Sequence, residues 1–532
     1  MARATSWMAG LVLAAALVVA GTQAGARRAG NGCLACHAGV ESAGAGHAMA
    51  CAVCHLAPAH RGLASPGHDL VIPNPSHLDH ARVQCGPCHA REVEAVEASR
   101  HATLAGIINQ TRYLWGAQQE AEPPVYGLGG ALRPLPEPVP RPRTPAMLVD
   151  GFLRARCLGC HIGRPGRAGP ERYRAAGCAA CHGVYAGDGL YHGRDAAVDR
   201  SVPGRPVRHG LTAAVGDAAC LGCHHGNHAG ADFHGLFERD DAAMFQRAVS
   251  WGRPVSRRHG RAVHVLARDV HARRGMGCLD CHGGAQVMGL ESGTPPSCRG
   301  CHGGHGRSVP DTSLDGVAAG MDGFVFCRRD QKLVALPTAV ADTPGHDPSL
   351  HGRVACFACH AQWVFGDYGL SVSHRGDAAG NAWRADYRFR RWEVLVLGVD
   401  RHDRIVPLRP RHQYLVSHVD GKGRVVLDSV APSRGDGRGR GWASSPCVPH
   451  TTAPRGRPCH ECHGNAEVAG LGPGWDAGAD MLLLRASPPV PGDGRLLDDE
   501  ERRRLMEPGR SYRKAFALHV LGLLEGGLPE GQ

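Results

Sequence analysis

Regular hydrophobic patterning is sparse along this chain, and the elements it predicts are few. Met8 to Ala20 forms a thirteen-residue apolar run behind Arg3, followed by an A-x-A cleavage site at Ala24-Gly25-Ala26. Residues 1–26 therefore read as an export signal, with a mature chain starting at Arg27. An uncleaved anchor is the alternative, but the run is shorter than the about 20 residues a membrane-spanning helix needs. Ala515 to Leu524 is too short as well, so no transmembrane anchor is predicted. Glu92 to Ile108 reads as a helix. Arg391 to Val399, Tyr414 to Val419 and Arg424 to Leu427 read as strands, with Asp420-Gly421-Lys422-Gly423 as the turn between the last two. Asp498 to Leu505 and Arg510 to Leu524 read as C-terminal helices broken at Pro508-Gly509. The expected fold is mostly irregular and α-helical, with a small β-rich insert near residues 385–430. That insert carries no site motif, so it is a structural filler or a docking surface.

Composition changes the picture. Phe, Tyr and Trp together number 27 against 74 glycines in 532 residues. Side chains alone would struggle to offset the conformational entropy of so long a chain. Some other apolar material is expected to serve as the core, with the polypeptide as its wrapping.

The cysteines identify that material. Twenty of the 22 lie in ten copies of Cys-x-x-Cys-His. In chain order the pairs are Cys33 and Cys36, Cys51 and Cys54, Cys85 and Cys88, Cys157 and Cys160, and Cys178 and Cys181. The second five are Cys220 and Cys223, Cys278 and Cys281, Cys298 and Cys301, Cys356 and Cys359, and Cys459 and Cys462. Cys-x-x-Cys-His is the attachment signal of c-type haem: two thiols bond the porphyrin edge and the next residue binds the iron. Zinc sites also use Cys-x-x-Cys, but zinc does not require a histidine after the second cysteine. With only 34 histidines in 532 residues, ten such coincidences are not chance, and disulfides fail by the same count. Ten covalently bound haems are predicted. Their propionates, about −20 in all if ionised, would outweigh the formal charge of +11, so that charge is no argument for nucleic-acid binding. Lysine occurs only at 332, 422 and 514. The arginine bias fits propionate pairing, and a GC-rich genome would produce it equally.

The motif histidines are the expected proximal ligands: His37, His55, His89, His161, His182, His224, His282, His302, His360 and His463. Twenty-four histidines remain, more than ten second ligands require. Position favours His47, His68, His101, His209, His271, His351 and His450. The first, fifth and sixth of these precede motifs two, seven and nine by four, seven and five residues. His192, His305, His346 and His374 are weaker candidates, and His60, His77, His80, His228 and His234 are rivals. Histidine on both faces suits electron transfer, whereas an iron lacking the second ligand binds substrate. Cys327 and Cys447 are left over, as a disulfide or as two buried thiols. No catalytic residue is marked.

The motifs group along the chain. Residues 27–116 hold motifs one to three, 147–235 hold four to six, and 236–310 hold seven and eight. Residues 311–465 hold nine and ten with the insert, and 466–532 form a C-terminal helical segment. Between the first two groups, residues 117–146 include eight prolines from Pro123 to Pro145 and read as a semi-rigid linker. Short gaps, such as 18 residues from Cys33 to Cys51, set successive sites side by side.

Over residues 33–463, the ten motifs resemble the large exported multihaem c-type cytochromes of bacterial respiratory chains. The strings His101-Ala102-Thr103-Leu104-Ala105-Gly106 and Asp269-Val270-His271 before Cys278 strengthen that resemblance. It implies that His271 is a second haem ligand. It also implies redox partners, either a quinol-oxidising membrane complex or a terminal reductase. Multihaem nitrite reductases carry Cys-x-x-Cys-Lys at their catalytic haem, and this chain has none. The expected function is that of an electron carrier or conduit that is periplasmic, outer-membrane-associated or extracellular. The alternative is a reductase of nitrite, tetrathionate, selenite or tellurite, or an enzyme acting on hydroxylamine, at one open haem.

Overall fold

The computed structural model describes residues 32–63, 66–166, 169–227, 230–238, 249–250, 253–254, 256–290, 297–304, 310–339, 344–378, 382–411, 413–437, 439–471 and 487–507. The predicted export signal and the helix from Arg510 to Leu524 lie outside them. The architecture is mixed: short helices threaded through loops, and several small sheets.

Helix α1 (Leu78–Gln84) leads into α2 (Gly86–Ala98), whose backbone leaves helical geometry at His89. The helix expected over Glu92 to Ile108 is three helices: the end of α2, then α3 (Arg100–Thr103), then α4 (Ala105–Leu114). Ser99 breaks the first junction by turning extended and capping α3 through its hydroxyl. Leu104 breaks the second by adopting φ 53°, a left-handed conformation that β-carbons resist. α5 (Pro145–Phe152) starts on proline and runs straight into a π-helical turn, Leu153–Cys157, that delivers motif four.

The β region is larger than the insert predicted, and its strands are differently placed. β1 (Val364–Arg375) and β2 (Trp383–Trp392) pair antiparallel. The strand expected over Arg391 to Val399 is the end of β2 and a separate β3 (Leu397–Asp400). β4 (Ile405–Pro410) follows, then β5 (Tyr414–Val419) as expected, and β6 runs over Val425–Val430 rather than from Arg424. The turn at Asp420–Gly423 is closed by the Gly423 N–H on the Asp420 carbonyl, 3.0 Å. β5 lies parallel to β1, which requires a crossover, and β3 and β4 make it. Those two strands, β7 (Ser444–Pro446) and β8 (Gly494–Leu496) form a second four-stranded sheet in the order β7-β4-β3-β8. The C-terminal segment is therefore tied into the β region through Gly398 opposite Leu496. Its helix, α6 (Asp499–Met506), is held at its start by a reciprocal Asp498–Glu501 cap.

A conventional hydrophobic core is also present, against the expectation of a wrapping alone. Leu370, Val372, Tyr414 and Val416 alternate inward from the first sheet onto Ile108, Tyr113, Trp115, Phe152 and Leu153. Trp115 stacks on Phe152 at 5.2 Å and meets Tyr414 edge-on at 5.1 Å. Tyr126, Trp383 and Tyr387 pack against the same cluster. Beside them, Arg112 and Asp150 form a buried ion pair, with the guanidinium 4.1 Å from the Tyr126 ring centre.

The proline-rich stretch is seated on this core and is not a free spacer. Leu135 is buried in it, and the Asn109 side chain binds Val125 and Tyr126 backbone groups. Arg154 donates to the Leu135 and Pro136 carbonyls at 2.8 and 2.7 Å. Prolines leave carbonyls without a paired N–H donor, and these side chains use them.

Candidate haem-binding sites

Each motif is built the same way from its spacing. Cys-x-x-Cys places both thiols on one face of a single helical turn, and the histidine follows one turn after the first cysteine. The turn closes when the histidine N–H bonds the first cysteine's carbonyl: 2.9 Å at His37, His89, His182, His282 and His463, and 2.8 Å at His224. In motifs two, eight and nine the five residues are themselves a helix. Motif four departs from this. It unwinds from the π-helical turn, and its tightest bond is Cys160 N–H to Cys157 O at 3.3 Å.

All 22 cysteines are free thiols, so none of the twenty expected attachment cysteines is engaged in a disulfide. Four of the twenty, Cys36, Cys88, Cys160 and Cys298, are exposed, and the other sixteen are half-buried. In the first motif Cys36 is exposed, whereas Cys33 is half-buried beside Cys51 of motif two. The disulfide considered for Cys327 and Cys447 is not formed. Cys327 ends a strand of the Val317–Leu336 sheet, beside Gln331, whereas Cys447 packs on Ala361, Val364 and Leu395. Burial pushes the Cys447 thiol up to about 12.

The structure places a second histidine within 6.3 Å, ring centre to ring centre, of eight motif histidines. The pairs are His37–His68 at 6.2 Å between ring centres, His55–His209 at 6.0 Å and His89–His47 at 6.2 Å. They continue with His224–His101 and His282–His450, both at 6.3 Å, and His302–His271 at 6.0 Å. His360–His346 at 6.2 Å and His463–His351 at 6.0 Å complete them. All seven favoured candidates stand opposite a motif histidine. His271 faces motif eight rather than the motif it precedes, and His346, ranked lower, faces motif nine.

The other candidates are placed differently. His374 stacks on His418 at 5.0 Å, with their Nδ1 atoms 3.0 Å apart. His225 stacks on His259 at 5.2 Å. Both pairs are closer, centre to centre, than the eight above and include no motif histidine. His192 pairs with Asp188 and His234 with Asp217, and His60 ends a short 3-10 turn, Pro58–His60. His228 and His305 lie outside the described residues. Among the described residues, no imidazole makes a ring contact with His161 or His182, although His77 lies near enough to His161 to help lower its pKa, after burial, Arg164 and Arg174. His77 reaches the loop after His161, donating through Nε2 to the Gly163 carbonyl at 3.1 Å, and its ring lies 6.1 Å from that of His80.

The far nitrogens are also organised. Nδ1 of His55, His182, His302 and His360 donates to the carbonyls of Ile72, Thr212, Pro337 and Ala453, at 2.7–3.1 Å. Each bond leaves Nε2 as the lone-pair atom, which is what a metal ligand needs. Burial lowers the pKa of His55 and His302, further favouring the neutral ring. His161 is again the exception: its Nδ1 accepts from the Gly163 N–H at 3.0 Å.

Neighbouring motifs are close enough for their thiols to feel one another. Cys51 is raised by burial and then by Cys33, Cys54 in part by Cys88, and Cys85 by burial, then by Cys178 and Cys54. Cys181 is raised by burial, then by Cys220 and Cys223, and Cys281 by burial, then by Cys301. The Cys278 and Cys220 thiols lie close enough to couple, as do those of Cys298 and Cys356. Cys359 is raised by burial, then by Cys462. The motifs therefore follow one another in space as one, two, three, five, six, seven, eight, nine, ten. Motif four stands beside six, through Cys160 and Cys223. Backbone contacts agree: the Cys178 N–H bonds Ser76 O at 3.1 Å, and Asp217 accepts from the Cys278 N–H at 2.8 Å. Gly177, at φ 72°, lets the fifth motif approach Ser76, where a β-carbon would collide with the backbone.

No helix among the described residues is long and apolar enough to cross a membrane. Comparison with protein-family models, with curated protein sequences and with solved structures returns no match to this chain.

Proposed function

We propose that this chain is an exported decahaem c-type cytochrome that conducts electrons between redox partners. Those partners are a quinol-oxidising membrane complex on one side and a terminal reductase or external acceptor on the other. The observation that carries the reading is the set of eight opposed imidazole pairs. An iron binds each imidazole nitrogen at about 2.0 Å, and the ring centre lies about 1.1 Å behind it, so axial partners need centres about 6.2 Å apart. The eight pairs fall at 6.0–6.3 Å, and each includes a Cys-x-x-Cys-His histidine. Haem bound there supplies one-electron exchange at an iron with no vacant coordination position. The chain supplies the rest: paired thiols for attachment, imidazoles for both faces, carbonyls that fix the tautomer, and spacing that keeps neighbours adjacent.

Pyridine haemochrome on acid–acetone-extracted, exported protein tests the reading. Ten haems per chain are expected; a value near zero with zinc in their place would sink it.

A second reading has a specific foothold. His161 and His182 make no ring contact with a second imidazole among the described residues, so a substrate-binding iron would belong at motif four or five. Electron paramagnetic resonance with and without carbon monoxide or nitrite separates the two. Conduction alone predicts ligand-insensitive low-spin signals. A ligand-sensitive high-spin signal, with saturable turnover of one oxyanion, would favour the reductase.

A further inference from the structure

We infer that three carboxylates, the buried Asp195 and Asp269 and the half-buried Asp232, are positioning residues that lower the electron affinity of three particular sites, those of motifs one, eight and seven. The inference rests on reading His37, His271 and His450 as axial ligands. Most imidazoles whose far nitrogen is held meet a neutral backbone carbonyl, as do the four motif histidines above. Among the second histidines, His101 meets Val287 O at 3.2 Å and His209 meets Glu41 O at 2.8 Å. Three meet a full negative charge instead. His37 Nδ1 donates to Asp195 Oδ2 at 2.7 Å, and His271 Nδ1 to Asp269 Oδ1 at 2.8 Å. His450 Nδ1 lies 3.7 Å from Asp232 Oδ2, which also accepts the His450 backbone N–H at 3.1 Å.

These carboxylates are built in. The Asp195 and Asp269 side chains are each only 2% exposed. The Ala197 N–H holds Asp195 at 2.9 Å, and Asp232 accepts the Gly230 and Phe233 N–H groups at 3.1 Å. Asp269 accepts the His271 N–H at 2.8 Å and the Thr452 N–H at 2.6 Å. Asp269 thus joins the segment carrying His271 to the one carrying His450.

At His37 and His271 the carboxylate accepts the ring N–H, draws that proton outward and makes the opposite nitrogen a stronger donor, whereas Asp232 acts on His450 through its charge alone. A stronger axial donor favours the oxidised iron, and a carbonyl dipole does so less. Little water lies between charge and ring, so the interaction is weakly screened. The row of sites is then uneven: one end and two adjacent interior sites hold electrons less tightly than their neighbours.

The test is Asp269→Asn in the full-length exported protein, titrated potentiometrically and followed by visible and paramagnetic resonance spectra. Asparagine keeps a carbonyl oxygen for the backbone donors and removes the charge. At a fixed poised potential, the reduced-to-oxidised ratio of one centre should rise about tenfold, about 59 mV for a one-electron couple. Asp195→Asn should do the same to a different centre, and it decides the matter alone if the first variant fails to accumulate. Variants that keep ten haems with every midpoint unchanged would overturn the inference, whatever happens to their melting temperature. Absence of haem from the parent protein would instead refute the ligand reading.

Discussion

At the scale of the residue, what distinguishes the histidines here is the partner of the nitrogen that faces away from the gap. His55 and His360, whose Nδ1 atoms rest on carbonyls, are presented with Nε2 inward, while His374 and His418 spend their nitrogens on each other. Sequence spacing located seven second histidines near motifs without assigning the motif that each would face. His271 lies seven residues before motif seven and faces His302 of motif eight instead, because the pairing is a tertiary contact that spacing does not encode. One substitution tests that assignment. His271→Met should raise the potential of one centre in ten, because a thioether stabilises the reduced iron better than imidazole does. A matching change in His302→Met at the same centre would locate it at motif eight. An unchanged redox and spin profile in both would remove the pair.

Elements carry the rest of the stability. α5 buries Phe152 against Trp115, Trp383 and Tyr414, and its last turn becomes motif four. Phe152→Ala should cost about 3–5 kcal/mol, measured by chemical denaturation of the core, as other buried Phe truncations do. Asp150→Ala should cost a similar about 3–5 kcal/mol, because Arg112 would remain charged and buried without its partner. α6 offers a pH test. Arg495, hydrogen-bonded to Glu501 at 2.7 and 2.9 Å, outweighs burial and lowers the Glu501 pKa to about 2. A depressed carboxylate stabilises fully above its unfolded value, about 4.3, and that contribution fades as pH falls toward 2. Glu501→Gln should therefore lower the melting temperature at pH 7 and converge with the parent near pH 2. Parallel curves across that range would count against the ion pair.

These elements were only partly legible in the sequence. β5 and its turn were readable, because Tyr414, Val416 and His418 alternate cleanly and Asp420-Gly421-Lys422-Gly423 follows. β1 was not, because Gly366 and Gly369 punctuate it and look like turns when the partner strand is unknown. The break at Leu104 carried no local signal, since leucine is among the residues least expected at positive φ.

For the whole molecule, the core around Trp115 changes what absence of the proposed haem should do. The segments from Ala105 to Leu153 and from Leu370 to Ala443 meet in a cluster that contains Cys157 but no other motif cysteine. Protein made without haem should keep hydrogen-exchange protection at Ile108, Val149, Val372 and Val416. The isolated motif turns, such as Cys278–Cys281, should exchange freely. Uniform loss of protection would mean that the core depends on haem after all.

The opposed histidines come from distant parts of the chain: His55 meets His209, His101 meets His224, and His282 meets His450. If the chain is exported from its N-terminus and loaded with haem as proposed, the thiols of motif two would be presented long before His209 has emerged. Attachment and coordination would then be separated in time at motifs two and seven, whose second histidines, His209 and His450, lie far downstream. A chain cut short after His282 would leave that site open to peroxide and other small oxidants. On that reading, completion of the last third of the sequence would act as a checkpoint on the reactivity of motif seven.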